Sequence, residues 1–172
     1  HALLTHDFSL EYVAAYTSST LPTNYVVAAL WGGQQGSLLW WSFLLVSFTA
    51  LVEFQNRERN RELMPWVTAT LMIVATFFLG MVAFITDPFE RLPQAALEGS
   101  DLNPLLQNYW MMIHPPSLYI GYVAASVPFA FAMAALMTGR LGDQWIRTTR
   151  RWALFSWFFL TLGNLFGAMW AY

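Results

Sequence analysis

Four runs of almost unbroken apolar residues decide what this chain can fold into. They lie at about 36–54, 64–85, 118–137 and 152–172. A helix rises about 1.5 Å per residue, so about twenty residues match the roughly 30 Å hydrocarbon core of a bilayer. None of the runs alternates with period 2, the pattern a transmembrane β-barrel needs. The sequence therefore predicts an all-α, polytopic integral membrane protein with about four transmembrane helices. Pro65 falls in the first turn of the second run, where its missing N–H costs nothing. Pro128 interrupts the third, which a membrane helix tolerates when its neighbours satisfy the freed carbonyl.

The polar connectors give the spans a direction. "QNRERNRE" and "GRLGDQWIRTTRR" hold Arg57, Arg59, Arg61, Arg140, Arg147, Arg150 and Arg151, seven of the eight basic residues. The other side carries only Arg91, beside Asp7, Glu11, Asp87, Glu90, Glu98 and Asp101. The positive-inside rule assigns connectors 55–63 and 138–151 to the cytoplasm. Regions 1–25 and 86–117 then face outward, into the periplasm of a Gram-negative cell. No composition shift divides the chain, so 1–172 reads as a single membrane domain. It starts at His1 without a Met or a signal segment, and is expected to be a piece of a longer protein. A net charge of −2 gives no basis for nucleic-acid binding, and the absence of Cys excludes thiol chemistry within the chain.

One titratable residue stands out. In "MMIHPPSLYIGY", His114 precedes Pro115 and Pro116 at the outer lip of the third span. A residue before proline is biased toward extended conformations, and two prolines remove two N–H donors. The expectation is a stiff approach with His114 held just outside the first helical turn. A neutral imidazole there can ligate iron or another metal. The plainer alternative is an interfacial histidine bonded to a loop carbonyl, and spacing alone leaves both open. His1 and His6 sit in a polar tail without metal-ligand spacing and read as surface residues.

Three other features carry weaker signals. In "WGGQQGSLLWW", Gly32, Gly33 and Gly36 permit positive φ or close backbone approach, and Ser37 can cap the following helix. Trp31, Trp40 and Trp41 form either an interfacial aromatic belt or part of a surface for a flat ligand. Gly163 and Gly167 make a small-xxx-small pair that predicts a close neighbouring helix, with Asn164 bonding across the contact. Asp101, Asn103 and Pro104 read as turn and cap residues in the outer loop.

Taken together, "WGGQQGSLLWW", "EGSDLNPLLQ", "IHPPSLYIGYVAASVPFAFAMAAL" and "FLTLGNLFGAMWAY" resemble the CcmF/NrfE-type cytochrome c haem lyases. The resemblance extends from "HDFSLEYVA" to the end, and rests on HPP-x-LY-x-GY combined with WGG-x-x-GS. Gln35 departs from it, because such proteins usually carry Glu there. The resemblance implies a haem-handling protein of the bacterial inner membrane that attaches haem to apocytochrome c on the outer face. It implies that His114 is an axial ligand to haem iron, with Trp31, Trp110, Tyr119 and Tyr122 as nearby surfaces. Haem b is implied as substrate, with a bound-cofactor role left open. The haem chaperone CcmE, a thiol-reducing CcmH-type subunit and the lipid bilayer are implied partners. The Trp-rich segment and further histidines of such proteins would follow Tyr172, so the isolated stretch is expected to be inactive. Two readings of other classes compete: a transporter or channel segment with Pro128 and Asn164 along its path, and a structural membrane subunit without a ligand.

Overall fold

The computed structural model describes residues 1–172 and is built from helices. Two short ones come first, α1 (Glu11–Tyr16) and α2 (Thr23–Ala28). Four long ones follow: α3 (Gln34–Asn56), α4 (Met64–Met81), α5 (Tyr109–Thr138) and α6 (Gln144–Ala171). A π-helical turn, Val82–Thr86, extends α4. With it, all four long helices reach 23 residues or more and are apolar enough to cross a membrane. The chain is thus a polytopic α-helical membrane protein.

Polar residues inside these helices mostly satisfy themselves, as an apolar solvent demands. The hydroxyls of Ser42, Ser47, Thr49, Thr70 and Thr76 each donate to the carbonyl four residues earlier. Helix α5 is central and packs against α3, α4 and α6. Leu45, Val52, Val67, Leu71, Val127 and Phe131 meet in the buried core. Large apolar side chains such as Phe43, Ile73, Phe77, Phe84 and Trp157 point outward. In water that surface would be costly; against acyl chains it is not.

The two ends of the bundle differ. At one end the tail and the loop between α4 and α5 knit together. Leu10 and Arg91 form a bridge, Leu92 N–H donates to Ser9 O (2.9 Å), and Ser100 N–H donates to Ala14 O (2.7 Å). Tyr12 ties this layer to the start of α3. Its hydroxyl donates to Ala29 O (2.8 Å) and accepts from Gly33 N–H (3.1 Å). Burial pushes the Tyr12 phenol well above the ordinary tyrosine range, so the donor is retained. At the other end, Arg140 pairs with Glu62, and Gln144 Nε2 donates to Asn60 Oδ1 (3.3 Å). The two Arg-bearing connectors therefore share one end.

Several boundaries differ from the sequence reading. Hydropathy puts the third span at 118–137, but α5 already starts at Tyr109. His114, Pro115 and Pro116 lie within the helix rather than ahead of it. Asn108 explains the early start: its side chain accepts from Trp110 N–H (2.8 Å) and caps the helix. Proline's fixed φ suits a helix; what is lost are the N–H groups that would pair with the carbonyls of Met111 and Met112. Hydropathy puts the fourth span at 152–172, but α6 begins at Gln144. Arg147, Arg150 and Arg151 thus sit on its first turns, where Arg147 pairs with Asp143 at i,i+4 (2.6 Å). The connector shrinks accordingly. Ser37 is not the cap of α3; Gly33 is, and Ser37 Oγ donates back to Trp31 O (3.1 Å). Gly32 and Gly33 have negative φ. What the motif needs is space: a Cβ on Gly33 would strike the Tyr16 ring, and one on Gly36 would strike Leu30 O and the Tyr12 hydroxyl.

Candidate functional site

Near the tail-and-loop end, α5 and α6 come together with almost no side chain between their backbones. A Cβ on Gly121 would meet Leu160 at 2.7 Å, and one on Gly163 would meet Leu118 at 2.6 Å. Ser156 Oγ closes the contact by donating to Gly121 O (2.7 Å). The small-xxx-small pair read from sequence thus faces α5. Asn164 takes no part: it is exposed, and its amide donates to Leu160 O of its own helix (2.8 Å).

His114 occupies the last step of this contact. Its Nδ1 lies 2.7 Å from Gly163 O. A carbonyl only accepts, so this bond requires the proton on Nδ1, and in the neutral imidazole it leaves the lone pair on Nε2. Nε2 has no hydrogen-bond partner in the protein and is not shut away from solvent. The ring is held on its other side by Gly167, where a Cβ would come 2.6 Å from Cε1. Trp170 lies beside it, ring centroids 6.0 Å apart, with its indole N–H donating to Leu105 O (3.3 Å). The carbonyl partner is therefore in a helix and not in a loop. The same bond that could satisfy a purely structural histidine also orients one for ligation.

The other sequence-predicted residues divide into two groups. Trp110 lies on the α6 side with His114, 6.0 Å between centroids from Phe166. Tyr119 and Tyr122 turn toward α3. Five residues after His114 is about 140° around a helix, so Tyr119 cannot share its face. The Tyr119 hydroxyl donates to Ser37 Oγ (3.1 Å), and Trp41 packs on both tyrosines at 5.6 and 5.9 Å. Trp31 is in this second group, 6.2 Å from Trp40. The indole N–H groups of Trp31 and Trp40 are both buried without a partner. His6 lies in the tail near Phe8. Sequence reasoning missed Phe166 and Trp170; their spacing from Gly163 and Gly167 was the available signal.

Residues 31–172 match the family described as Cytochrome C assembly protein. This chain belongs to that family. At 44% identity over 99% of its length it is similar to the cytochrome c-type biogenesis protein CcmF of Pseudomonas aeruginosa. It is equally similar to CcmF of Escherichia coli over all of its length, and to NrfE of Haemophilus influenzae over 96%. The chain spans about a quarter of the length of these curated relatives (26–27%). No solved structure matches it. The family match takes in α3 to α6, and so the whole of the His114 contact.

Proposed function

We propose that this chain is the part of a cytochrome c haem lyase that presents His114 Nε2 as an axial ligand to haem. One observation carries this reading: the imidazole is fixed by Nδ1–H to Gly163 O, while its other nitrogen has no partner in the protein. The surroundings suit the ligand. Trp110 and Trp170 offer apolar ring faces beside His114, and a helix end near water leaves room for propionates. Trp31, Tyr119 and Tyr122 belong to the α3 side and are proposed to bound the surface, not to touch the iron-bearing face of the histidine.

Haem b is the substrate in this reading, and the product is a thioether made by adding a cysteine S–H across a haem vinyl. By resemblance the thiols are those of apocytochrome c, which is consistent with a stretch that has no Cys. What the protein contributes is ligation and orientation, which bring vinyl and thiol together. CcmE as haem donor and a CcmH-type subunit as thiol reductant are proposed by resemblance. The Arg-rich end is proposed to face the cytoplasm and the His114 end the periplasm, across the bacterial inner membrane.

The test uses the full-length protein at matched membrane levels, with covalent haem measured in a co-expressed cytochrome. His114→Ala is expected to abolish attachment while insertion persists. His114→Gly is expected to recover partly with added imidazole. Full activity of His114→Ala would return the residue to a purely structural role.

A further inference from the structure

The end of the bundle opposite His114 holds a cavity of about 870 Å³, between the last turns of α3 and the first turns of α6. Its rim carries Arg59, Arg147 and Arg151, and its wall is formed by Phe48, Trp152 and Phe155. Arg147 is neutralised by Asp143 (2.6 Å). The remaining ion pairs are Arg57 with Glu58 and Arg140 with Glu62, so Arg59 and Arg151 reach the cavity without a carboxylate. Between rim and wall lies an amide floor, in which Asn60 donates to Asn56 Oδ1 (2.7 Å) and accepts from Gln144 (3.3 Å). The three aromatic rings pack on one another, Phe48 to Trp152 at 5.3 Å and Trp152 to Phe155 at 6.0 Å.

We propose that this cavity binds the headgroup and upper acyl chains of an anionic phospholipid. The argument is one of matching chemistry along a depth. Phe48 lies eight residues before the end of α3, about 12 Å along the helix from the Arg59 end, while Arg151 directly precedes Trp152 and so stands where the wall begins. A free anion would use only the guanidinium groups. A zwitterionic lipid would use the aromatic wall but bring no net charge for the two unpaired Arg. An anionic phospholipid uses both, and guanidinium groups suit phosphate oxygens because they bond in pairs. Basic pockets between transmembrane helices at this level are a known recognition pattern for acidic headgroups. The proposal rests on membrane insertion and not on the haem reading.

The experiment is native mass spectrometry of the full-length protein in detergent, titrated with phosphatidylglycerol or with phosphatidylcholine of the same chains. At about fivefold per Arg near the headgroup level, phosphatidylglycerol should bind about 25-fold more tightly. Arg59→Gln and Arg151→Gln should each remove about fivefold and together most of the preference, whereas Arg57→Gln, outside the cavity, should change nothing. Replacing Arg59 and Arg151 by Lys should keep the preference for the acidic lipid. Equal binding of the two lipids by the wild-type protein overturns the proposal without reliance on any variant. So does a double Gln variant that holds phosphatidylglycerol as the wild type does. Displacement of the lipid by inorganic phosphate at equal concentration also overturns it, since the aromatic wall would then contribute nothing.

Discussion

Gly167→Ala probes the least roomy point of the candidate site. The added Cβ would lie 2.6 Å from His114 Cε1, 2.9 Å from Nδ1 and 3.4 Å from Nε2. Carbon atoms sit comfortably at about 3.5 Å or more, so something must move by roughly 1 Å. If the ring swings, it breaks its 2.7 Å bond to Gly163 O, at about 0.6–1.7 kcal/mol for a hydrogen bond between membrane helices. If α6 moves instead, the tight steps at Gly163 and Gly121 open and the cost is of the overpacking kind, about 1–3 kcal/mol. The expected loss is therefore about 0.6–3 kcal/mol, depending on which group yields, with haem attachment falling more steeply because the direction of Nε2 is lost. The assay is a double-mutant cycle in the full-length protein, reading thermal unfolding in detergent and covalent haem. In a His114→Gly background the ring is gone, and most of the cost of Gly167→Ala should vanish, a coupling of about 1–2 kcal/mol. Gly80→Ala, with nothing within 4 Å of the new Cβ, is the control and should cost nothing measurable. The reasoning is refuted if Gly167→Ala costs the same with and without the histidine ring.

Other expectations follow from the two ends of the bundle. In a cysteine-free background, Leu97→Cys should react with an impermeant maleimide in intact spheroplasts and Glu58→Cys only after permeabilisation; labelling of both from one side would reverse or break the topology. Tyr12→Phe leaves the buried Gly33 N–H without a partner, while Ala29 O keeps its bond from Gly32 N–H, and should lower stability by about 1–3 kcal/mol, read as a shift in melting temperature. Hydrogen bonds from Ser19, side chain first and then backbone, hold the Glu98 carboxyl below its ordinary value of 4.5. Its contribution is complete above that value and is lost as pH falls from about 4.5 through the lower folded pKa. The protection of the Ser19 and Gly99 amides, taken relative to the intrinsic exchange rate at each pH, should therefore fall on acidification, and Glu98→Gln should flatten that response.

The four helices were legible because lipid imposes a simple requirement: about twenty apolar residues with internal hydrogen bonds. Their ends were less so, since a hydropathy reading stops where charge begins while a helix does not. Arg147, Arg150 and Arg151 look like a loop by polarity, yet all are good helix formers, and α6 starts ahead of them at Gln144. The tail and outer loop were assigned to one side by charge counting. Their mutual fit, through Leu10 and Arg91 or Ser100 and Ala14, depends on pairings across 80 residues or more that no local pattern encodes. The WGG-x-x-GS run announced close approach, but only the fold reveals that the approaching groups are Tyr12 and Tyr16.

The site itself turns on the same distinction. The residue that could bind a metal was visible in the sequence, because a lone histidine before two prolines at the edge of a membrane span is uncommon chemistry in an apolar place. The stiff approach expected from those prolines, with His114 outside the first turn, is not what holds the ring. Within α5, Pro115 and Pro116 keep helical geometry and merely withhold N–H groups from Met111 and Met112. The ring is directed by α6, through a carbonyl 49 residues away and a glycine one turn beyond it. Gly163 provides both the acceptor and the clearance for Leu118; Gly167 provides the clearance for the imidazole. A helix pair packed backbone to backbone is thus a precondition for a fixed Nδ1–H and a free Nε2. That is why disturbance of the glycines should reach the chemistry of His114 more readily than disturbance of its prolines.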